Sequence, residues 1–116
     1  MSVSFNGYKE SLATFKAANG LTAGVPVKMS ANGTVDTCAA GDNFCGVASG
    51  VGKGYASVQM SGFITLPYTG ATPPAVGYTS LAADGSGGVK VVTDGGRSLL
   101  VLEVDTTAKT AGFMLG

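Results

Sequence analysis

Histidine and tryptophan are both absent from this chain of 116 residues. Without histidine there is no ordinary base to activate a Ser, Thr or Cys nucleophile, and no spacing points to a Ser-Lys pair instead. The absence of both residues counts against an enzyme and against a carbohydrate-binding β domain. Charge is scarce too: 12% of residues are charged, about half the usual share of a soluble domain. Seven basic residues cancel seven acidic ones, and neither sign forms a run. A nucleic-acid partner needs a basic stripe that releases counterions, so that class is excluded. No stretch approaches the ~18 uninterrupted apolar residues of a membrane span. The N-terminus, MSVSFNGYKESL, lacks a basic start followed by an apolar stretch, so no secretory signal is expected. Cysteine is limited to Cys38 and Cys45. Two thiols without histidine cannot build a closed zinc site. In a protein made in the cytosol they read as two small buried apolar residues, with a disulfide as the alternative. No cofactor is expected.

What is present points one way. Hydrophobic residues make up 45% of the chain, which excludes disorder. The length suits one compact domain that buries roughly 65% of its unfolded surface. Its surface is polar through Gly, Ser, Thr and Asn, which suits a packed assembly. The 19 glycines follow no Gly-X-Y period and fall where turns would punctuate short strands.

Residues 1–18 read as an irregular N-terminal arm and 19–116 as a single β domain. Within the arm, residues 8–19 fit two patterns. Tyr8, Leu12 and Phe15 share a helical face, while alternation over 12–18 makes an edge strand, which the β character downstream favours. Val25, Val27 and Met29 alternate with Pro26 and Lys28, an edge strand because of the proline. Asn32-Gly33 is a hairpin turn, with 34–38 returning. Further strands are expected at 44–48, along YASVQMSGFITLPY with a bulge at Gly62, at 76–81, at 89–92, at 97–104 as the central strand, and at 111–115. Residues 49–54 read as a loop. About eight or nine short strands at this spacing define an all-β barrel or sandwich.

The motifs with chemical associations have plainer readings. Gly50-Val51-Gly52-Lys53-Gly54 resembles a phosphate loop, but a strand follows the lysine where that motif opens a helix. Asn32-Gly33-Thr34 fits a glycosylation acceptor, yet the turn explains it. Glu103 and Asp105 sit two apart on a strand, as paired carboxylates can, but no third acid accompanies them. Asp42, Asp84 and Asp94 stand in turns, where aspartate bonds its own backbone in preference to calcium.

The order of segments carries a resemblance. LTAGVPVKMSANGTV (21–35), GDNFCGVASGV (41–51), YASVQMSGFITLPYTG (55–70), VGYTSLAADGSGGV (76–89) and LLVLEVDTTAKTAGFML (99–115) together resemble the small head-decoration, or capsid cement, proteins of tailed phages and prophages. The likeness runs from about residue 14 to the end and includes no catalytic signature. It implies a compact, β-tulip-like domain, commonly a trimer, on the outer surface of a virion capsid after the shell expands. The implied partners are the major capsid protein and further copies of the chain; nucleic acid and membrane are not among them. The chain would be made in the bacterial host cytoplasm. Phe5, Tyr8, Leu12, Phe15, Tyr55, Tyr68 and Tyr78 are the candidate interface residues, because aromatics are enriched at interface cores. Phe63 is a further candidate that fills the core equally well. Residues 2–18 are the candidate for β-augmentation on a shell strand. The alternatives are another virion part, such as a tail-tube or head-fibre base subunit, and a glycan-binding β module.

Overall fold

The computed structural model describes residues 11–115. Alternating side chains and turn glycines divide them into nine strands: β1 (Ser11–Ala17), β2 (Pro26–Ala31), β3 (Thr34–Thr37), β4 (Gly46–Gly52), β5 (Tyr55–Pro67), β6 (Gly77–Ala83), β7 (Val89–Val91), β8 (Arg97–Asp105) and β9 (Thr110–Leu115). They join in one sheet of order β1-β3-β2-β4-β5-β9-β8-β6-β7, and β1 also pairs with β5. That extra pairing closes β1, β3, β2, β4 and the first half of β5 into a small barrel. All its contacts are antiparallel except β1–β3, which is parallel. The second half of β5 continues through β9, β8, β6 and β7, and a parallel bridge between Tyr68 and Val89 draws this sheet into a second barrel. The fold is therefore the expected all-β type, with nine strands in a double-barrel arrangement.

One strand serves both barrels because its faces swap roles along its length. Ala48 and Val58 are paired and belong to the first core, whereas the neighbouring pair Val47 and Gln59 turns Val47 into the second. Beyond this point the β1–β5 register shifts, with Ser11 opposite Ser61 and Leu12 opposite Gln59, leaving Met60 as an extra residue. Such a bulge bends the strand and increases its twist. Gly62 follows with φ at 98°, and Leu66 then enters the second core. The first core holds Leu21, Val27, Val35, Ala48, Ala56 and Val58, with Phe15 and Met60 packed against it. The second is larger, built on Val47, Leu66, Tyr68, Leu81, Val89, Leu99, Val101, Phe113 and Leu115.

The β3–β4 connection, residues 38–45, belongs to the first barrel by sequence but sends Cys38 and Phe44 into the second core. Its backbone pairs with the end of β6: Gly41 N–H donates to Ala83 O (2.9 Å), and Ala83 N–H donates to Asp42 O (2.9 Å). Phe44 meets Phe113 edge-on at 6.3 Å. The Arg97 guanidinium lies 5.7 Å from the Phe44 ring centre and donates to the Phe44 carbonyl at 3.2 Å.

Several expectations need correction. Residues 11–17, placed in the arm, form β1 and line the first barrel, so the domain begins before residue 19. Phe5 and Tyr8 lie outside the described residues. Pro26 is not on an edge: β2 lies between β3 and β4, and Pro26 is buried at its first residue, where a missing N–H is tolerated. The expected loop over 49–54 is mostly strand. β4 runs to Gly52, opposite Tyr55, leaving a two-residue turn in which Lys53 (φ 54°) and Gly54 (φ 80°) are both left-handed. This is the type I′ hairpin geometry, and it accounts for the lysine-containing glycine segment without a phosphate.

Gly54→Ala should lower stability by about 1–2 kcal/mol, the cost of a left-handed residue that carries a Cβ. Phe113→Ala should cost about 3–5 kcal/mol by emptying the second core. Urea unfolding measures both, and equal, small losses would contradict the assignment of one to a turn and the other to a core.

Candidate functional site

The carboxylates of Asp84 and Asp105 are engaged by backbone amides of their own turns. Asp84 Oδ1 accepts from Ser86 N–H (2.7 Å) and Gly88 N–H (3.0 Å), while Oδ2 accepts from the Thr69 hydroxyl (3.1 Å). Asp105 Oδ1 accepts from Thr107 N–H (2.9 Å) and Ala108 N–H (3.0 Å), closing the β8–β9 turn. Glu103 and Asp105 border a shallow depression of about 240 Å³ with Thr65, Val104, Thr110 and Gly112. Among the described residues, no group of three or more His, Cys, Asp or Glu is arranged to hold a metal ion, and no helix is long and apolar enough to cross a membrane.

Asp42 accepts from Lys28 Nζ (2.7 Å) and from Ala39 N–H (2.9 Å). The hydrogen bond from Lys28 is the main reason its carboxyl titrates below the ordinary 3.8, with the Ala39 amide second. The same bond raises Lys28 above 10.5. Both groups are solvated, so the pair orders the 38–45 connection locally. Its contribution is complete between the two ordinary values. It disappears as pH falls through the depressed Asp42 value or rises through the raised Lys28 value.

Cys38 and Cys45 are free thiols. Burial pushes Cys38 up to about 11, helped by the nearby Asp42 carboxylate. Burial also raises Cys45. The thiolate is the reactive form, so both behave as small apolar residues in the packing. Gln59, buried between the barrels, spends its amide on the Ser61 and Phe63 carbonyls at 3.2 and 3.0 Å. Beside it, Ala23, Gly24, Val47, Ser49, Ile64 and Leu66 help line a groove of about 370 Å³.

The surface is more informative than the interior. Of the candidate interface residues, Leu12 (52% exposed), Tyr55 (54%) and Tyr78 (77%) stand in solvent. Phe15 packs on the first core. Tyr68 is a correction: it is buried, because the Tyr68–Val89 bridge places it inside the second barrel. Phe63 is also buried, its ring covering Gly112 so closely that a Cβ there would lie 2.6 Å from Phe63 Cζ.

Two outer walls follow from strand register, since directly opposed residues point to the same side of a sheet. On the second barrel, Tyr78 opposes Leu100 and Leu100 opposes Met114, giving an apolar row across β6, β8 and β9. Leu100 and Met114 are half-buried, and Val76, 69% exposed, precedes the row. Ser80 opposite Ser98 borders it on one side, and Glu103 opposite Gly112 on the other. On the first barrel, Lys16, Tyr55 and Gly52 form one row across β1, β5 and β4, and Thr14, Ser57 and Gly50 the next. Nothing lies within 4 Å of where a Cβ on Gly50 or Gly52 would sit, so this wall is low and open. Val76, Leu100 and Met114 were absent from the sequence candidates. The alternation in SLLVLEV contained the signal, because Leu99 and Val101 facing inward send Leu100 outward.

No protein-family model matches this chain, and no curated protein matches it.

Replacing Lys28 with Met should move the Asp42 carboxyl up towards 3.8 in an NMR titration; an unmoved carboxyl would show that the pair does not form in solution. At neutral pH both thiols should react with a disulfide reagent far more slowly in the native protein than in the unfolded chain. Equal rates would contradict their placement in the packing.

Proposed function

We propose that this chain is a structural virion protein that decorates the outer surface of a tailed-phage capsid as an oligomer and stabilises the expanded shell. The observation that carries the reading is the apolar row Tyr78–Leu100–Met114 on the outer wall of the second barrel. Scattered surface apolar residues are normal, but aligned ones on a sheet face mark an interaction surface. Asp42, Asp84 and Asp105 hold backbone amides and burial raises both thiols, which favours contact over chemistry as what this surface offers. The ordered segments from 21–35 to 99–115 add the resemblance to capsid cement proteins and name the major capsid protein as the partner. Low charge removes long-range repulsion between densely packed copies. Each weak contact with the shell becomes strong when an oligomer repeats it, because later contacts form at high effective concentration.

The test is co-sedimentation with shells assembled from the major capsid protein of the phage genome that encodes the chain. Saturable binding to expanded shells, with little to unexpanded precursors, is the expected result. Equal indifference to both would sink the decoration reading and turn attention to the tail-tube, head-fibre and glycan-binding alternatives.

A further inference from the structure

We infer that the crease between the two barrels receives one extended, uncharged peptide segment of a partner protein, paired with the open edge of β5 at Thr65. The site is independent of the capsid reading and lies apart from the apolar row on the second barrel's outer wall.

Backbone direction along β5 fixes where that edge opens. In a paired strand the N–H and C=O of one residue point to one side and those of the next residue to the other. Tyr68 N–H donates to Lys109 O (3.0 Å), so the even-numbered residues of this stretch face β9 and its turn. The odd-numbered residues face away. On that side the Ser61 and Phe63 carbonyls accept from Gln59 Nε2, and Thr69 N–H donates to Val89 O (3.0 Å). Thr65 lies between these two covers. Its ladder partner among the described residues is Gly112, on β9. Its own N–H and C=O therefore open into the groove that it lines with Ile64 and Leu66.

Gln59 supplies a second point of attachment. It is 5% exposed and lies opposite Val47, so both side chains point to one side of the sheet and both line the groove. Its amide nitrogen is committed to two carbonyls, which fixes Oε1 as an acceptor. No donor among the described residues reaches Oε1, and the atom keeps a contact with solvent. An acceptor this deep in the protein gains more from a donor than an exposed one does.

The rest of the groove selects the occupant. Its floor of Val47, Ala48 and Leu66 is buried and apolar, and Ala23, Gly24 and Ser49 make a low, exposed rim. Nothing lies within 4 Å of where a Cβ on Gly24 would sit. No charged side chain lines the groove, so a carboxylate or ammonium would lose water there without a partner. An open strand edge, one buried acceptor and an apolar floor together match an extended main chain. One peptide residue exchanges two hydrogen bonds with Thr65, a further N–H reaches Gln59 Oε1, and alternate side chains settle on the floor. A small neutral ligand would use the acceptor and leave Thr65 unpaired.

The test is an NMR titration of the full chain with the blocked peptide acetyl-Ser-Val-Thr-Val-Ser-amide. The Thr65 amide and the Gln59 side-chain amide should shift together and saturably at millimolar peptide. The same peptide with N-methyl groups on its Val and Thr nitrogens keeps the side chains but loses the donors, and should bind about tenfold more weakly. Thr65→Pro removes the N–H that faces the groove and leaves the β9 ladder intact. It should weaken the parent peptide by a similar factor, with an unfolding midpoint near that of the unaltered chain. A peptide that shifts neither group overturns the inference, as does an N-methylated peptide that binds equally well. N-methylacetamide binding as tightly as the peptide would assign the groove to a small donor and overturn it too. The N-methyl comparison uses the unaltered chain, so it decides the matter even if Thr65→Pro fails to fold.

Discussion

Everything in this fold depends on β5 serving as a wall of two barrels at once. A strand shows opposite faces on alternate residues, so a straight β5 would offer the same face to one core along its whole length. Ala56, Val58, Ile64 and Leu66 keep the same parity, yet the first two serve one core and the last two the other. The extra residue at Met60 reconciles these facts by turning later side chains to the opposite side. Gly62, with its positive φ, accommodates the bend. Each barrel is too small to bury much alone. Sharing a strand lets the two cores stabilise the same backbone, which a pair of independent barrels joined by a linker would not do.

The 38–45 connection is the second tie between the barrels. Phe44 leaves the first barrel and enters the second core, where its ring meets Phe113 and the Arg97 guanidinium. The Lys28–Asp42 pair keeps the connection's turn in place from the first-barrel side. Cys38 belongs to the same insertion, and its burial there accounts for its raised thiol pKa. The outer walls of the two barrels therefore sit on a body whose halves are held by a continuous strand and by a plugged connection.

Strand positions were legible where local rules operate. SLLVLEV has the alternation of a half-buried central strand, and β8 does lie between β6 and β9. Asn32-Gly33 gave the β2–β3 hairpin, although only Gly33 is left-handed and the ladder slips between Met29 and Ala31 instead. Features set by tertiary closure were not legible. Residues 11–17 had two possible periods; the β character downstream favoured a strand, which is what they form, but their place inside the barrel comes only from pairing with β5 and β3. Pro26 signalled an edge, but closure of the first barrel buries the start of β2. Tyr68 read as a surface aromatic because nothing local announces its parallel bridge to Val89. The candidate walls were half visible: Tyr55 and Tyr78 stood out as aromatics, whereas their neighbours depend on cross-strand register.

The central physical claim, that β5 welds the two barrels into one cooperative body, is open to native-state hydrogen exchange. The account predicts that amides of Val58 in the first barrel and Leu66 in the second exchange only through global unfolding, with the same free energy and the same denaturant dependence. Exchange of one half through a separate, smaller opening while the other stays protected would contradict it. The barrels would then be independent units on a common strand.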